Sequence, residues 1–193
     1  MQIFPLITSL FISVNLDFFI VLLFLLKKYS LKSNVIGYEL GMLIVFFISA
    51  LAGQLIQTLI PAWTIGFLGL IPIFMGIKSE SDENEEDNVK SSNKSGFLAV
   101  MLVYLISCGA DNIAVYVPVL STLSLTSIGL TAVYFVILSG ISVWIAYSIS
   151  NLPPIVKIFE RWGARLSRII YILIGLFVIF DTDLIQKIMS LFS

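Results

Sequence analysis

The sequence predicts an all-α, polytopic membrane protein whose six transmembrane helices form a 3+3 inverted repeat. Three observations carry that expectation. Of the 193 residues, 59% are hydrophobic and 12% charged, with a mean hydropathy of +1.04, a balance far too apolar for an ordinary soluble domain. The charges gather in a few short segments and leave long uncharged runs, and a helix needs about 20 such residues to cross roughly 30 Å of hydrocarbon. The lysines and arginines return at every second gap between those runs, the pattern of loops kept on the cytoplasmic side.

Taken in order, the runs cover 3–26, 35–57, 63–77, 96–120, 127–149 and 166–180. The first lacks a preceding basic region and is longer than the apolar core of a secretory signal, so it reads as a retained helix. Pro61-Ala62 makes the tight turn after the second run, residues 121–126 turn the chain after the fourth, and Pro153-Pro154 closes the fifth. The third and sixth are short.

With the first run ending in the cytoplasm, the cytoplasmic loops and their flanks hold Lys27, Lys28 and Lys32, then Lys78, Lys90 and Lys94, then Lys157, Arg161, Arg165 and Arg168. Of the eleven basic residues only Lys187 falls outside, and both termini are extracytoplasmic. Residues 79–95, SESDENEEDNVKSSNKS, are polar and acidic without an aromatic side chain and read as a solvated cytoplasmic linker. They divide the chain into three-helix repeats at 1–78 and 96–193. Three is an odd number, so the second half must insert upside down relative to the first. Inverted repeats of this kind place substrate sites near the midplane, between the halves. Asp17 in the first span and Asp111 in the fourth hold corresponding places, and each is expected to be buried. Gly69-Leu70-Ile71 in the third span echoes Gly175-Leu176-Phe177 in the sixth.

Composition also excludes. A net charge of −1 gives no basic field for nucleic acid. The single cysteine, Cys108, rules out an intramolecular disulfide, and no histidine is present, so a metal site must use carboxylate, amide, carbonyl or that one thiol. No GxxxxGK[ST] loop is present to hold ATP.

An ionised carboxylate at the bilayer centre costs roughly 2.5–3.5 kcal/mol on insertion scales, so it ordinarily faces a cavity or a partner and marks a pathway. Asp17 and Asp111 are therefore the leading candidates, the plainer alternative being acids that hold helices together by hydrogen bonds. Ser13 and Asn15 gather near Asp17, and Ser107, Cys108 and Asn112 near Asp111. Ser107 and Cys108 lie four and three residues before Asp111, which puts all three on one helix face. Cys108 reads either as a ligand or as a small buried hydrophobe. As a thiolate among carboxylates and amides it suits cadmium or zinc better than magnesium or calcium. Pro118, with Pro5 and Pro72, can free backbone carbonyls or simply shape packing. Gly37, Gly41, Ala50 and Gly53 suit close helix contact within the bundle, with a homodimer seam as the lesser reading. Glu39, near the cytoplasmic start of the second span, reads as peripheral.

The run Ser107-Cys108-Gly109-Ala110-Asp111-Asn112-Ile113, continued by Val115-Tyr116-Val117-Pro118, closely resembles the fourth-span motif of the CadD-type cadmium resistance transporters of the LysE superfamily. Residues 66–78, GFLGLIPIFMGIK, resemble that family's third span, and Asp17 falls where its first-span aspartate does. The resemblance covers nearly the whole chain. It implies a six-span exporter of divalent cadmium in the bacterial inner membrane, a transporter rather than an enzyme, whose metal is cargo and which needs no cofactor.

Moving a divalent cation outward against an inside-negative potential costs about 4.6 kcal/mol at 100 mV, at roughly 2.3 per charge. Without ATP, a proton gradient is the natural source: two carboxylates that release protons as metal binds would exchange two protons per ion, electroneutrally. Three rivals stand beside this reading. The superfamily includes amino-acid exporters, although the only basic residue in any span is Arg168, at its cytoplasmic edge. An intramembrane aspartyl protease also uses two membrane aspartates, but typically within Gly-x-Gly-Asp, where this chain has Gly109-Ala110-Asp111-Asn112. A thiol-redox carrier needs two cysteines, and there is one.

Overall fold

The computed structural model describes residues 3–77 and 96–192, and every regular element among them is helical. The acidic linker, with Lys78, Lys90 and Lys94, lies outside the described residues.

Helix α1 (Ile3–Lys28) is followed at once by α2 (Leu31–Leu59). Ser30 caps α2 by accepting the Ser33 N–H at 3.2 Å. Asn34 closes the reversal: its amide lies within donating distance of the carbonyls of Leu25 (3.4 Å), Tyr29 (3.1 Å) and Ser30 (3.0 Å), tying the end of α1 to the start of α2. The third pass is built in pieces, α3 (Ala62–Ile65), a 3-10 turn (Gly66–Gly69) and α4 (Leu70–Ile77). The fourth is α5 (Gly96–Ser107) and α6 (Gly109–Leu120), bent by 66° at Cys108. Ser124 caps α7 (Leu125–Ile149). Pro153 opens α8 (Pro153–Asp181), and α9 (Leu184–Phe192) follows a 51° bend beside Asp183, whose φ is +55°.

Three of these helices, α1, α2 and α7, are long and apolar enough to cross a membrane alone. The pair α5/α6 and the pair formed by the end of α8 with α9 qualify as broken spans, and Trp63–Ile77 is a shorter apolar segment. That set accommodates six passes. It also corrects two expectations: 96–120 is not one continuous helix, and 166–180 is the C-terminal half of a longer helix with a further one after it.

Helix directions follow from their contacts. Phe4 meets Tyr134 and Phe11 meets Phe135, with ring centroids 5.6 and 5.2 Å apart, so α1 and α7 run parallel. Gly37 lies against Val100, Gly41 against Tyr104 and Gly53 against Val117, so α2 runs parallel to the fourth pass. Gly66 lies against Thr182, Gly69 against Gly175 and Gly76 against Ile172, so the third pass and α8 are antiparallel. Asp17 meets Ser167, while Pro5 and Leu6 share a groove with Leu173 and Phe177, so α1 and α8 are antiparallel too. These are the directions that strictly alternating passes require. The major packings also run between halves, α2 on α5 and α6, α4 on α8, and α1 on α7 and α8, as an inverted repeat would produce.

The interior holds Phe18, Tyr38 and Tyr104 with centroids 4.8–5.4 Å apart, beside Phe46, Tyr116 and Phe135. Leu51, Phe74, Ile106, Leu130, Trp144 and Leu173 point outward, an apolar exterior suited to lipid. Glycine sets the closest crossing. A Cβ at Gly69 would stand 2.6 Å from the Gly175 carbonyl, and one at Gly175 would strike the Gly69 carbonyl. The echoing Gly-Leu-Ile and Gly-Leu-Phe runs therefore cross each other, backbone on backbone, as small residues permit in membrane helices. The glycines of α2 are spent inside the bundle as well.

Gly175→Val should lower stability by at least the ~1–3 kcal/mol of an overpacked core. Gly129→Ala, where nothing lies within 4 Å of the new methyl, should be neutral or slightly stabilising. Thermal unfolding of the two purified variants in detergent checks the contrast.

Candidate functional site

The site forms where the fourth pass breaks. Ser107, Cys108 and Gly109 are all weaker helix formers than the aliphatic residues around them, Gly109 most of all. Cys108 leaves the helical region, with φ −124° and ψ −8°, and the chain restarts as α6 at a new angle. The break is bridged by two backbone bonds, Cys108 N–H to the Tyr104 carbonyl (3.0 Å) and Asn112 N–H to the Cys108 carbonyl (2.9 Å). Asp111 then occupies the first turn of α6, where the helix dipole favours a negative charge.

The bend decides which residues face inward. Cys108 and Asn112 are buried at 4% and 1% exposure, whereas Asp111 is exposed and Asp17 is half-buried. The expectation of two buried aspartates is corrected accordingly: tilting α6 turns Ala110 and Asp111 out of the packed core while Asn112, Val115 and Tyr116 point into it.

Asp17 and Asp111, from opposite halves, are nonetheless electrostatic neighbours, and the positive charge of Arg168 also acts on Asp17. Ser167 on α8 donates to Asp17 Oδ1 at 3.4 Å. Tyr171, one turn further along α8, lies in the field of Asp17, Asp111 and Cys108 together. Asp17, Asp111 and Cys108 thus all act electrostatically on one side chain, Tyr171, where α1, α6 and α8 pack together. Among the described residues there is no group of three or more cysteine and carboxylate side chains set to hold a metal ion, so a cation bound here must draw further ligands from amide, hydroxyl or carbonyl oxygens.

The remaining candidates divide. The Ser13 hydroxyl donates to the Leu10 carbonyl at 2.9 Å, within its own helix. Asn15, two residues from Asp17, faces elsewhere: its amide donates to the Phe11 carbonyl (2.9 Å) and the Tyr116 hydroxyl (3.4 Å), and its Oδ1 accepts from Tyr104 at 3.1 Å. The Asn112 amide lies 2.8 Å from the same Tyr104 hydroxyl. With its nitrogen turned inward it donates to the carbonyls of Val14 (2.9 Å) and Cys108 (3.2 Å), and its oxygen then competes with Asn15 Oδ1 for the single Tyr104 hydroxyl proton. Asn15, Tyr104 and Asn112 therefore fasten α1 to both sides of the break. Ser107 Oγ is buried without a hydrogen-bond partner among the described residues. Pro118 is buried further along α6, its carbonyl accepting from Ser121 at 2.7 Å. There it shapes packing against α2.

Glu39 is half-buried, its carboxyl near Gly140 of α7, and its neighbour Tyr38 packs on Phe18 with centroids 4.9 Å apart. Ser167 bonds to Asp17, and Tyr104 to Asn15 and Asn112, and Tyr171 lies one turn beyond Ser167; span-by-span reading does not give these neighbours. The only local signal was the polar trio Ser167, Arg168 and Tyr171 at helical spacing in an otherwise apolar run.

An all-helical bundle with an apolar exterior, a broken pass and aspartates on two passes within electrostatic reach of each other fits a multi-pass membrane protein of the transporter class. The chain belongs to the cadmium resistance transporter family, whose model matches residues 11–191, from the third turn of α1 to the end of α9. No curated protein and no solved structure matches it.

Tyr104→Phe removes the hydroxyl shared by Asn15 and Asn112 and leaves buried amide groups unpaired. It should destabilise the folded protein by ~1–3 kcal/mol, read as a lowered thermal midpoint in detergent.

Proposed function

We propose that this chain exports cadmium, with zinc as a second substrate, across the bacterial plasma membrane in exchange for protons. Asp17 and Asp111 are the charged ligands, joined by Cys108 and the Asn112 region, with both termini on the outer side. The observation that carries the reading is that Asp17 and Asp111, from opposite halves, lie within electrostatic reach of each other, with Cys108 at the break of the fourth pass acting on the same Tyr171. Two carboxylates match a divalent charge, so the loaded site is neutral, and the thiol adds the soft donor that distinguishes cadmium and zinc from magnesium and calcium.

Protons complete the cycle. Carboxylates that alternate between protonated and metal-bound forms return two positive charges inward for each two moved outward, which removes the ~4.6 kcal/mol cost of moving the ion against 100 mV. The broken fourth pass supplies the joint about which such a site can change its access.

One observation favours a second reading, export of an amino acid. Arg168 acting on Asp17 offers a cation and an anion side by side, the complement of a zwitterion. Cadmium should raise the thermal midpoint of the purified protein and amino acids should not; the reverse result would transfer the site to this second reading.

In proteoliposomes, Asp17→Asn and Asp111→Asn should each reduce cadmium flux to the protein-free level, and full activity in either would remove that residue from the site. An imposed pH gradient, acid on the side corresponding to the cell exterior, should accelerate wild-type flux; insensitivity would sink proton coupling. For orientation, single cysteines in a Cys108→Ser background should react with an impermeant maleimide on intact cells at Leu125→Cys, and at Lys32→Cys only after permeabilisation.

A further inference from the structure

Helix α8 brings two hydroxyls to a place where packing alone would be served by alanine and phenylalanine. Ser167 is 2% exposed and Tyr171 is 7% exposed, and helical spacing puts them on one face. The Ser167 hydroxyl reaches Asp17 Oδ1 at 3.4 Å, near the outer limit of a hydrogen bond, so it lies against the carboxylate without holding it tightly. A hydroxyl buried in a membrane bundle is costly without a partner, and the groups whose charges act on Tyr171 are Asp17, Asp111, Cys108 and Tyr116.

The position of α8 is not adjustable. Its crossing with the third pass at Gly69 and Gly175, and the Arg168 carbonyl and Ile172 lying over Gly76, leave no room for a longitudinal shift. Tyr171 sits between these two fixed points and Ser167 directly precedes the first of them. They are thus held in register with Asp17 by backbone contacts rather than by their own hydrogen bonds.

We propose that Ser167 and Tyr171 form the third wall of the cation site, supplying neutral oxygen donors opposite the thiol of Cys108, and that the balance between these two walls sets which divalent ion is preferred. This rests on the reading of Asp17 and Asp111 as the cation site. The walls differ in kind. The α8 wall presents hard hydroxyl oxygens and the α6 break presents a soft sulfur, and hard donors favour manganese, whereas sulfur favours cadmium and, less strongly, zinc. Removing oxygen from α8 should therefore shift selectivity toward cadmium, and removing sulfur from the break should shift it away.

The test is calorimetric titration of the purified full-length protein with Cd2+, Zn2+ and Mn2+ in turn, for wild type, Ser167→Ala, Ser167→Thr, Tyr171→Phe, Cys108→Ser and Asp17→Asn. Ser167→Ala and Tyr171→Phe should weaken Mn2+ and Zn2+ binding by about tenfold while changing Cd2+ much less. Ser167→Thr, which keeps the hydroxyl, should behave as wild type, and Cys108→Ser should weaken Cd2+ most. Unchanged affinities in both hydroxyl variants, or an equal loss for all three ions, would overturn the proposal if Asp17→Asn still abolishes binding. Normal binding by Asp17→Asn would instead remove the underlying site, and the third wall with it.

Discussion

In hydrocarbon no water is available to a broken backbone, so every N–H and C=O released by a helix interruption must find a partner within the protein. The fourth pass is interrupted at Cys108, and the surrounding structure answers that demand. Backbone bonds from Cys108 and Asn112 bridge the gap, and the Asn112 and Asn15 amides with the Tyr104 hydroxyl bind α1 across it. The rings of Phe18, Tyr38 and Tyr104 pack together one turn before the break. With the break secured, α6 can diverge by 66° and carry Asp111 out of the packed core. A straight helix over 96–120 would have kept Asp111 on the face shared with Ser107 and Cys108.

The second determinant is the glycine crossing of the third pass with α8. Contact of main chain with main chain at Gly69 and Gly175 brings these two passes closer than any larger side chain would allow. α8 therefore lies flush along α1 as well, where Ser167 meets Asp17. Membership of the cadmium resistance transporter family, matched over residues 11–191, thus has a concrete setting: a helical bundle with a broken fourth pass and Ser167 of α8 set against Asp17 of α1.

Much of this was legible in the sequence because lipid imposes a simple code. Span length, charge-free runs and the grouping of Lys27, Lys28 and Lys32 or Arg161, Arg165 and Arg168 depend on solvent and potential, not on neighbours, so each run can be read alone. Asp17 and Asp111 stood out for the same reason. What escaped was relational. The run 96–120 is apolar throughout, and the weak helix formers at 107–109 mark a break only once another helix offers partners for the freed groups. Ser167 and Tyr171 look like ordinary polar interruptions until α8 is laid against α1. The linker at 79–95 remains an expectation.

The packing of each pass against passes of the opposite half bears on how the protein is made. When the first three helices enter the membrane, Gly37, Gly41 and Gly53 on α2, Gly69 and Gly76 on the third pass, and the polar side chains of Asn15 and Asp17 all await partners that are encoded after residue 95. The early half must therefore persist in lipid with open seams until α8 is synthesised. A chain stopped midway would be a set of inserted helices without a shape, visible to the cell's membrane quality control.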